Sequence, residues 1–350
     1  MLNKVLALTP LALIGLLISG IGTASGQFDQ VFQAKGAPNR GTISDTSTTK
    51  DQIVMDMGGV ARTFPVNEVT RVTYSDEPTE LNNARNAVQQ RNYNLAIQEL
   101  RKLDGQTFTR PSITSDVEYY KALSTAKLAM TEGGDKGAAM QGLFNWVRGN
   151  ANSYHFYEAA EVLGDLAVAS GKYADATKYY GPIAGAPWGD YQMRANNAIG
   201  RALIAQKLFP DALARFDAVL ATELSTAEAA RQKQFASIGR AVCLAETGTP
   251  ADGIKLLEDI IAKNDAQDTM LFAKAYNALG RCYLKLNKPK DAVHAFLHTD
   301  ILFYGDAESH AEALYRLSKL WNDVNKADRA VTARNTLRER YPGSLWASLE

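Results

Sequence analysis

The sequence predicts a mostly α-helical repeat solenoid of about seven helix pairs, preceded by a small antiparallel β module. Three observations carry this. From about Val31 to Ser75 the chain is rich in β-branched and aromatic residues alternating with period two. After Glu77-Pro78 the periodicity becomes helical and stays so to Glu350. Within the helical part a small residue recurs at Ala84, Ala126, Gly164, Gly200, Gly239, Gly280 and Ser318, at spacings of 42, 38, 36, 39, 41 and 38. Each interval holds two helices and their turns.

The N-terminus comes first in chain order. Met1–Lys4 carry one cation, and Val5–Ile21 are apolar apart from Thr9, Pro10, Gly15, Ser19 and Gly20. Ala24 and Gly26 then supply the small-x-small pattern of a signal-peptide cleavage site. Residues 1–26 are expected to be a signal peptide, cut before Gln27. Pro10 and the glycines weigh against the rival reading, an uncleaved anchor. Either way the remainder is exported. No further apolar run reaches spanning length, so the mature chain is expected to carry no integral membrane span.

Residues 27–78 are expected to form the β module. Its strands are read at Gly41–Ser44, Gln52–Met57, Val60–Phe64 and Val69–Tyr74, with turns at Pro38-Asn39 and Gly58-Gly59. Ile53, Met55 and Met57 should face one side, and Gln52, Val54 and Asp56 the other. Four or five short strands are marginal alone, so the module, a small barrel or curled sheet, should lean on the helices that follow.

Residues 79–350 are expected to form the solenoid. The unit Ala275–Leu302 holds Leu279-Gly280, Tyr283, Ala292 and Phe296. Leu163-Gly164 is followed by Ala176 and Tyr180, and Ile199-Gly200 by Ala212 and Phe216. The last unit has Leu317-Ser318, Trp321, Ala330 and Pro342. The unit at Ile238-Gly239 departs, with Gly253 and Leu257 two places late, and the first two units, around Ala84/Ala96/Leu100 and Ala126/Ala138, are degenerate. The small residues let two helix axes approach, and the aromatic fills the groove between units. This register resembles the tetratricopeptide-repeat (TPR) family, whose uninterrupted unit is 34 residues. Arg340–Ala347 further resembles the Tyr-Pro-x-Ser junction of bacterial cell-envelope TPR proteins, which implies a periplasmic or envelope setting.

Composition excludes several function classes. Lys+Arg and Asp+Glu each number 38, a formal net charge of zero, so there is no global attraction to nucleic acid. No nucleophile elbow, phosphate loop or Cys-x-x-Cys is present, no cofactor is expected, and the chain reads as non-catalytic. His294 and His298 lie four apart on one helix, but the repeat frame turns them to solvent, and two histidines do not make a metal site. Cys243 and Cys282 take different helical positions in neighbouring units, which favours two reduced, buried thiols over a disulfide.

The residue after each small position is Arg85, Lys127, Asp165, Arg201, Arg240, Arg281 and Lys319, six of the seven cationic. Seven residues earlier, on the same helix face, lie Arg194, Lys233 and Lys274, with Asn197 and Asn277 between the charges. The TPR resemblance places this face in the concave groove. The candidate peptide-binding set is therefore Arg194, Asn197, Arg201, Lys233, Arg240, Lys274, Asn277, Arg281 and Lys319. The competing reading pairs the cations with acids such as Glu158, Glu161, Asp165 or Glu312. The expected function is a protein-interaction scaffold or adaptor of the cell envelope, holding an acidic or extended protein or peptide partner. The alternative gives recognition of cell-wall glycan or another ligand to the β module, with the repeats as spacer.

Overall fold

The computed structural model describes residues 28–350. The expected signal peptide, residues 1–26, lies outside the described residues. Five strands come first: β1 (Asp29–Gln33), β2 (Asn39–Ile43), β3 (Gln52–Asp56), β4 (Ala61–Pro65) and β5 (Val69–Thr73). They form one antiparallel sheet in the order β4-β3-β2-β1-β5, an open curled sheet and not a barrel. Ile53 and Met55 are fully buried and Gln52 and Asp56 exposed, the predicted alternation. The buried face shares one core with the first helices, because Val31, Ile53, Met55 and Val72 pack with Leu81, Leu100, Ile113 and Val117. That shared core removes the apolar face that five short strands cannot bury alone. Polar contacts fix the joint. Asp29, buried, accepts from the Ile43 and Ser75 amides at 2.7 and 2.8 Å, and pairs with Arg110 at 2.8 Å.

Seven helix pairs follow. They are α1 (Thr79–Gln89) with α2 (Tyr93–Arg101), α3 (Pro111–Thr131) with α4 (Lys136–Gly149), and α5 (Phe156–Ala169) with α6 (Tyr173–Ala184). Then come α7 (Gly189–Ala205) with α8 (Phe209–Ala221), α9 (Ala227–Thr247) with α10 (Pro250–Lys263), and α11 (Thr269–Lys285) with α12 (Pro289–Ile301). Last are α13 (Ala307–Asp323) with α14 (Ala327–Arg340), capped by one turn, α15 (Leu345–Ser348). None of these helices is long and apolar enough to cross a membrane.

The glycine–aromatic register has a steric basis. A methyl placed on Gly164 would lie 2.2 Å from Tyr180, on Gly200 2.6 Å from Phe216, and on Gly280 2.6 Å from Phe296. Real contacts of this kind need well over 3 Å, so only glycine lets each ring seat against its own first helix. Phe216 also faces Gly239 of the next unit, where the methyl would be 2.3 Å away. The departing fifth unit keeps Gly253 and Leu257 buried, and there a methyl would meet Ala241 O at 2.7 Å and Cys282 Sγ at 3.1 Å. In the second unit the frame is displaced by one. Ala139, not Ala138, is buried, because α4 starts one residue later than the template requires. Cys243 and Cys282 are free and buried, and burial pushes their thiols up to about 12 and about 11.

Six of the seven intra-pair turns share one geometry. A left-handed residue, at Arg91, Gly171, Lys207, Gly248, Asn287 or Asn325, ends the first helix. The next amide then reaches back five residues, as in Asn92 N to Ala87 O at 2.8 Å and Lys326 N to Trp321 O at 2.7 Å. This is the Schellman termination, which satisfies otherwise orphaned carbonyls.

The first helices pack on one another along the array, α9 on both α7 and α11, and α13 on α11. In a curved stack the layer in continuous mutual contact is the inner one, so α1, α3, α5, α7, α9, α11 and α13 line the concave side. The array curves far enough to meet itself. Gly343 N donates to Thr131 O at 3.1 Å, and Arg91 Nη1 to Gly305 O at 2.9 Å. The seventh unit thereby touches the turn of the second, and the turn of the first touches the α12–α13 loop. A methyl on Gly343 would fall 2.4 Å from Ala129 O, so glycine is needed for this approach.

Candidate functional site

The predicted site residues all lie on the inner helices, and the structure divides them into three groups. Asn197 and Asn277 are buried at the contact between consecutive inner helices. Asn197 Nδ2 donates to Gln232 O at 2.9 Å, and Asn277 Nδ2 to Ser309 O at 2.7 Å. These asparagines occupy the same place in units two apart and stitch α7 to α9 and α11 to α13 through their amide nitrogens, while the Oδ1 of each has no hydrogen-bond partner among the described residues.

Five of the cations are paired. Arg194 pairs with Glu161, Arg240 with Asp217 at 2.9 Å, and Lys274 with Asp306 at 3.4 Å and Glu308 at 3.8 Å. Arg281 lies 3.5 Å from Glu246, and Lys319 2.9 Å from Glu350. Glu161 was foreseen as a partner, whereas Asp217, Glu246, Asp306 and Glu350 belong to neighbouring elements whose register no local pattern reveals. In the same column Lys127 pairs with Asp165 at 3.8 Å, and Arg85 is buried between Glu77 and Asp116, each at 2.6 Å. Most cations of this column thus lie beside carboxylates, which gives the inner face a mixed charge.

Arg201 and Lys233 remain, with no hydrogen-bond or ion-pair partner among the described residues. Arg201 is exposed to solvent. Burial there would lower its pKa, but Tyr180 and the carboxylates of Glu308, Asp165 and Glu161 outweigh it and hold the guanidinium more firmly charged than usual. Glu308 stands on α13, three units from the α7 that carries Arg201. Asp165, the exception in the basic column, takes a hydrogen bond from Tyr180 Oη at 2.9 Å, and burial raises its pKa despite Lys127.

A second charged cluster was not foreseen. Asp116, buried on α3, accepts from Arg85 Nη2 at 2.6 Å and from Tyr154 Oη at 2.8 Å. His155 Nε2 stands 3.3 Å from Asp116 Oδ1, and its ring stacks on Tyr119 at 3.9 Å. These groups sit where the sheet, α1, α3 and α5 converge, and they serve packing between units. Trp188 likewise plugs the unit junction, edge-on to Tyr157 at 5.9 Å and Tyr191 at 5.1 Å. The polar turn residues Asp135 and Asp268 are helix caps, accepting from the Ala138 and Leu271 amides at 2.9 and 3.1 Å. His298 stacks on Tyr276 at 4.2 Å.

No family model matches the sequence. No curated protein matches it either. Solved structures do resemble the fold. One is a tetratricopeptide repeat protein from Parabacteroides merdae, 14% identical, covering 75% of this chain and 92% of that one with a TM-score of 0.51. Another is a Rap protein in complex with Competence and Sporulation Factor, 13% identical, covering 77% of this chain and 76% of that one, also at 0.51. With the helix pairs, the glycine–aromatic register and the inner layer of first helices already in place, these likenesses identify the fold as TPR-like.

Proposed function

We propose that the chain is a non-catalytic scaffold of the cell envelope that binds an extended protein or peptide segment along the inner helices. The observation that carries this is the pair Arg201 and Lys233, two cations left unpaired on an inner face whose other predicted cations are neutralised. Isolated unpaired charges on a preformed concave surface are affordable in water and become specific contacts when a carboxylate arrives. The mixed charge of the remaining lining favours a segment carrying both acidic and basic residues over a uniformly acidic tail, and gives no surplus for nucleic acid. The Rap protein of the same fold is described in complex with a factor, and a bound segment on the inner helices would be a use of the same kind.

The envelope setting rests on the N-terminal pattern of residues 1–26 and on the Tyr341-Pro342-Gly343-Ser344 junction. In the alternative, a glycan-binding head would have to work from a sheet that shares its core with α1–α3. Deleting residues 27–78 would strip that core and confuse loss of binding with loss of fold. Point substitution is the cleaner test. Residues 28–350 are used to capture partners from envelope extract, beside an Arg201→Glu/Lys233→Glu variant of equal helicity. A partner held by the wild type and lost from the variant supports the inner-face reading, and a partner held equally by both overturns it.

A further inference from the structure

Residues Tyr341–Ser344 bridge two ends of the array, and the two sides of that bridge differ in strength. On the seventh unit the turn is firmly seated. Tyr341 is buried, its Oη 2.7 Å from His310 Nδ1, and His310 Nε2 in turn lies 2.8 Å from Asp300. Ser344 Oγ caps α15 by accepting from the Ala347 amide at 3.1 Å. On the second unit the turn is held by far less, the Gly343–Thr131 backbone bond and the apposition of Pro342 on Gly133. Among the described residues, the neighbouring hydrogen-bond support is the exposed Arg91–Gly305 bond. The receiving turn contains Gly133 and Gly134, both at positive φ, +96° and +132°, a conformation glycine adopts without strain. Every joint between consecutive units, by contrast, buries whole helix faces around residues such as Phe216 and Leu257.

We propose that Tyr341–Ser344 is a strap that docks on and releases from the α3–α4 turn while the seven helix pairs stay folded. Released, it frees the edge where the last units lie against the first two and widens access of an extended segment to the inner helices, a role that rests on the inner-face reading given above. The strap itself does not depend on that reading. Opening breaks few bonds and exposes little apolar surface, so the open state is reachable without unfolding.

The geometry supplies its own lock. A Cβ at Gly133 would lie 3.9 Å from Pro342 Cβ, within the roughly 3.5–4.5 Å that a disulfide requires. The native thiols are buried and leave a clean background. Native-state hydrogen exchange is measured on residues 28–350 and on Gly133→Cys/Pro342→Cys, oxidised and reduced. The Gly343 amide is expected to exchange at least about 100-fold faster than amides in α9 and α11, with little denaturant dependence, and to slow when the lock forms. Exchange of Gly343 at the rate of those core amides, with the full denaturant slope, overturns the strap. A Gly343→Val variant, which blocks the close approach, tests it a second way by X-ray scattering. An increased radius of gyration at unchanged helicity supports it, and an unchanged radius or global loss of helicity overturns it. Binding enters neither measurement, so failure of the strap and failure of the inner-face reading are told apart.

Discussion

Asp116 and His155 face each other inside the molecule, Oδ1 to Nε2 at 3.3 Å, both side chains almost fully buried. Burial alone would lower the His155 pKa, but Asp116 beside it, aided by Glu158, raises it. Burial would raise that of Asp116, and His155 with Arg85 lowers it instead. The sign follows for each. A raised histidine stabilises fully below its unfolded value, about 6.5, and loses that contribution as pH climbs through its folded value. A lowered aspartate stabilises above its unfolded value, about 3.9, and loses it as pH falls through its folded value. Melting temperature should therefore peak between roughly pH 4 and 6.5 and decline above. His155→Gln should flatten the upper limb, as followed by circular dichroism across pH, and an unchanged profile would show that the pair does not set it.

Arg85 neutralises both Glu77 and Asp116 in that same interior. Removing one partner of a buried pair strands the other charge, so Arg85→Ala should cost about 3–5 kcal/mol in urea unfolding. Arg240→Ala breaks a largely exposed pair with Asp217 and should cost less than about 1 kcal/mol.

Two helical glycines should respond in opposite directions. Gly239→Ala drives a methyl into the Phe216 ring and should destabilise by about 1–3 kcal/mol. Gly142, on the open face of α4, has nothing within 4 Å of its missing side chain. Gly142→Ala should stabilise by about 0.5–1 kcal/mol through helix propensity alone. Equal effects at both sites would refute the packing account of the register.

Lys207 holds the left-handed position between α7 and α8 at φ +61°. That conformation costs an L-residue about 1–2 kcal/mol, and glycine is spared it. Part of the gain is offset by the greater freedom of an unfolded glycine, so Lys207→Gly should stabilise by about 0.5 kcal/mol. A melting temperature that falls would show that the Lys207 side chain contributes more than its backbone costs.

The helix pairs were legible because their signal is local and repeated. Gly164 with Tyr180, Gly200 with Phe216 and Gly280 with Phe296 each sit sixteen residues apart, within one unit, and sterics admit few alternatives to glycine there. Four of the five strands were legible for the same reason, as the burial of Ile53 and Met55 shows, whereas β1 was not placed and Asn39, read as a turn, lies in β2. The state of the inner face was not. Whether Arg281 is free or paired depends on Glu246, which reaches it only through the offset between α9 and α11. The contact of Gly343 with Thr131 was further out of reach. It depends on rotation accumulated over five units, and no pair of sequence positions encodes that sum.

Closure has a consequence for how such a chain can evolve. Stacked arrays generally gain or lose units at little cost, since each unit meets only its neighbours. Here the sheet occupies the first apolar face and α15 the last, and Gly343 must land on Thr131. A unit lost or gained between the second and the seventh would carry Gly343 off Thr131 and bring another segment over that turn. The edge contact is thus what any change in the number of units between them would have to rebuild.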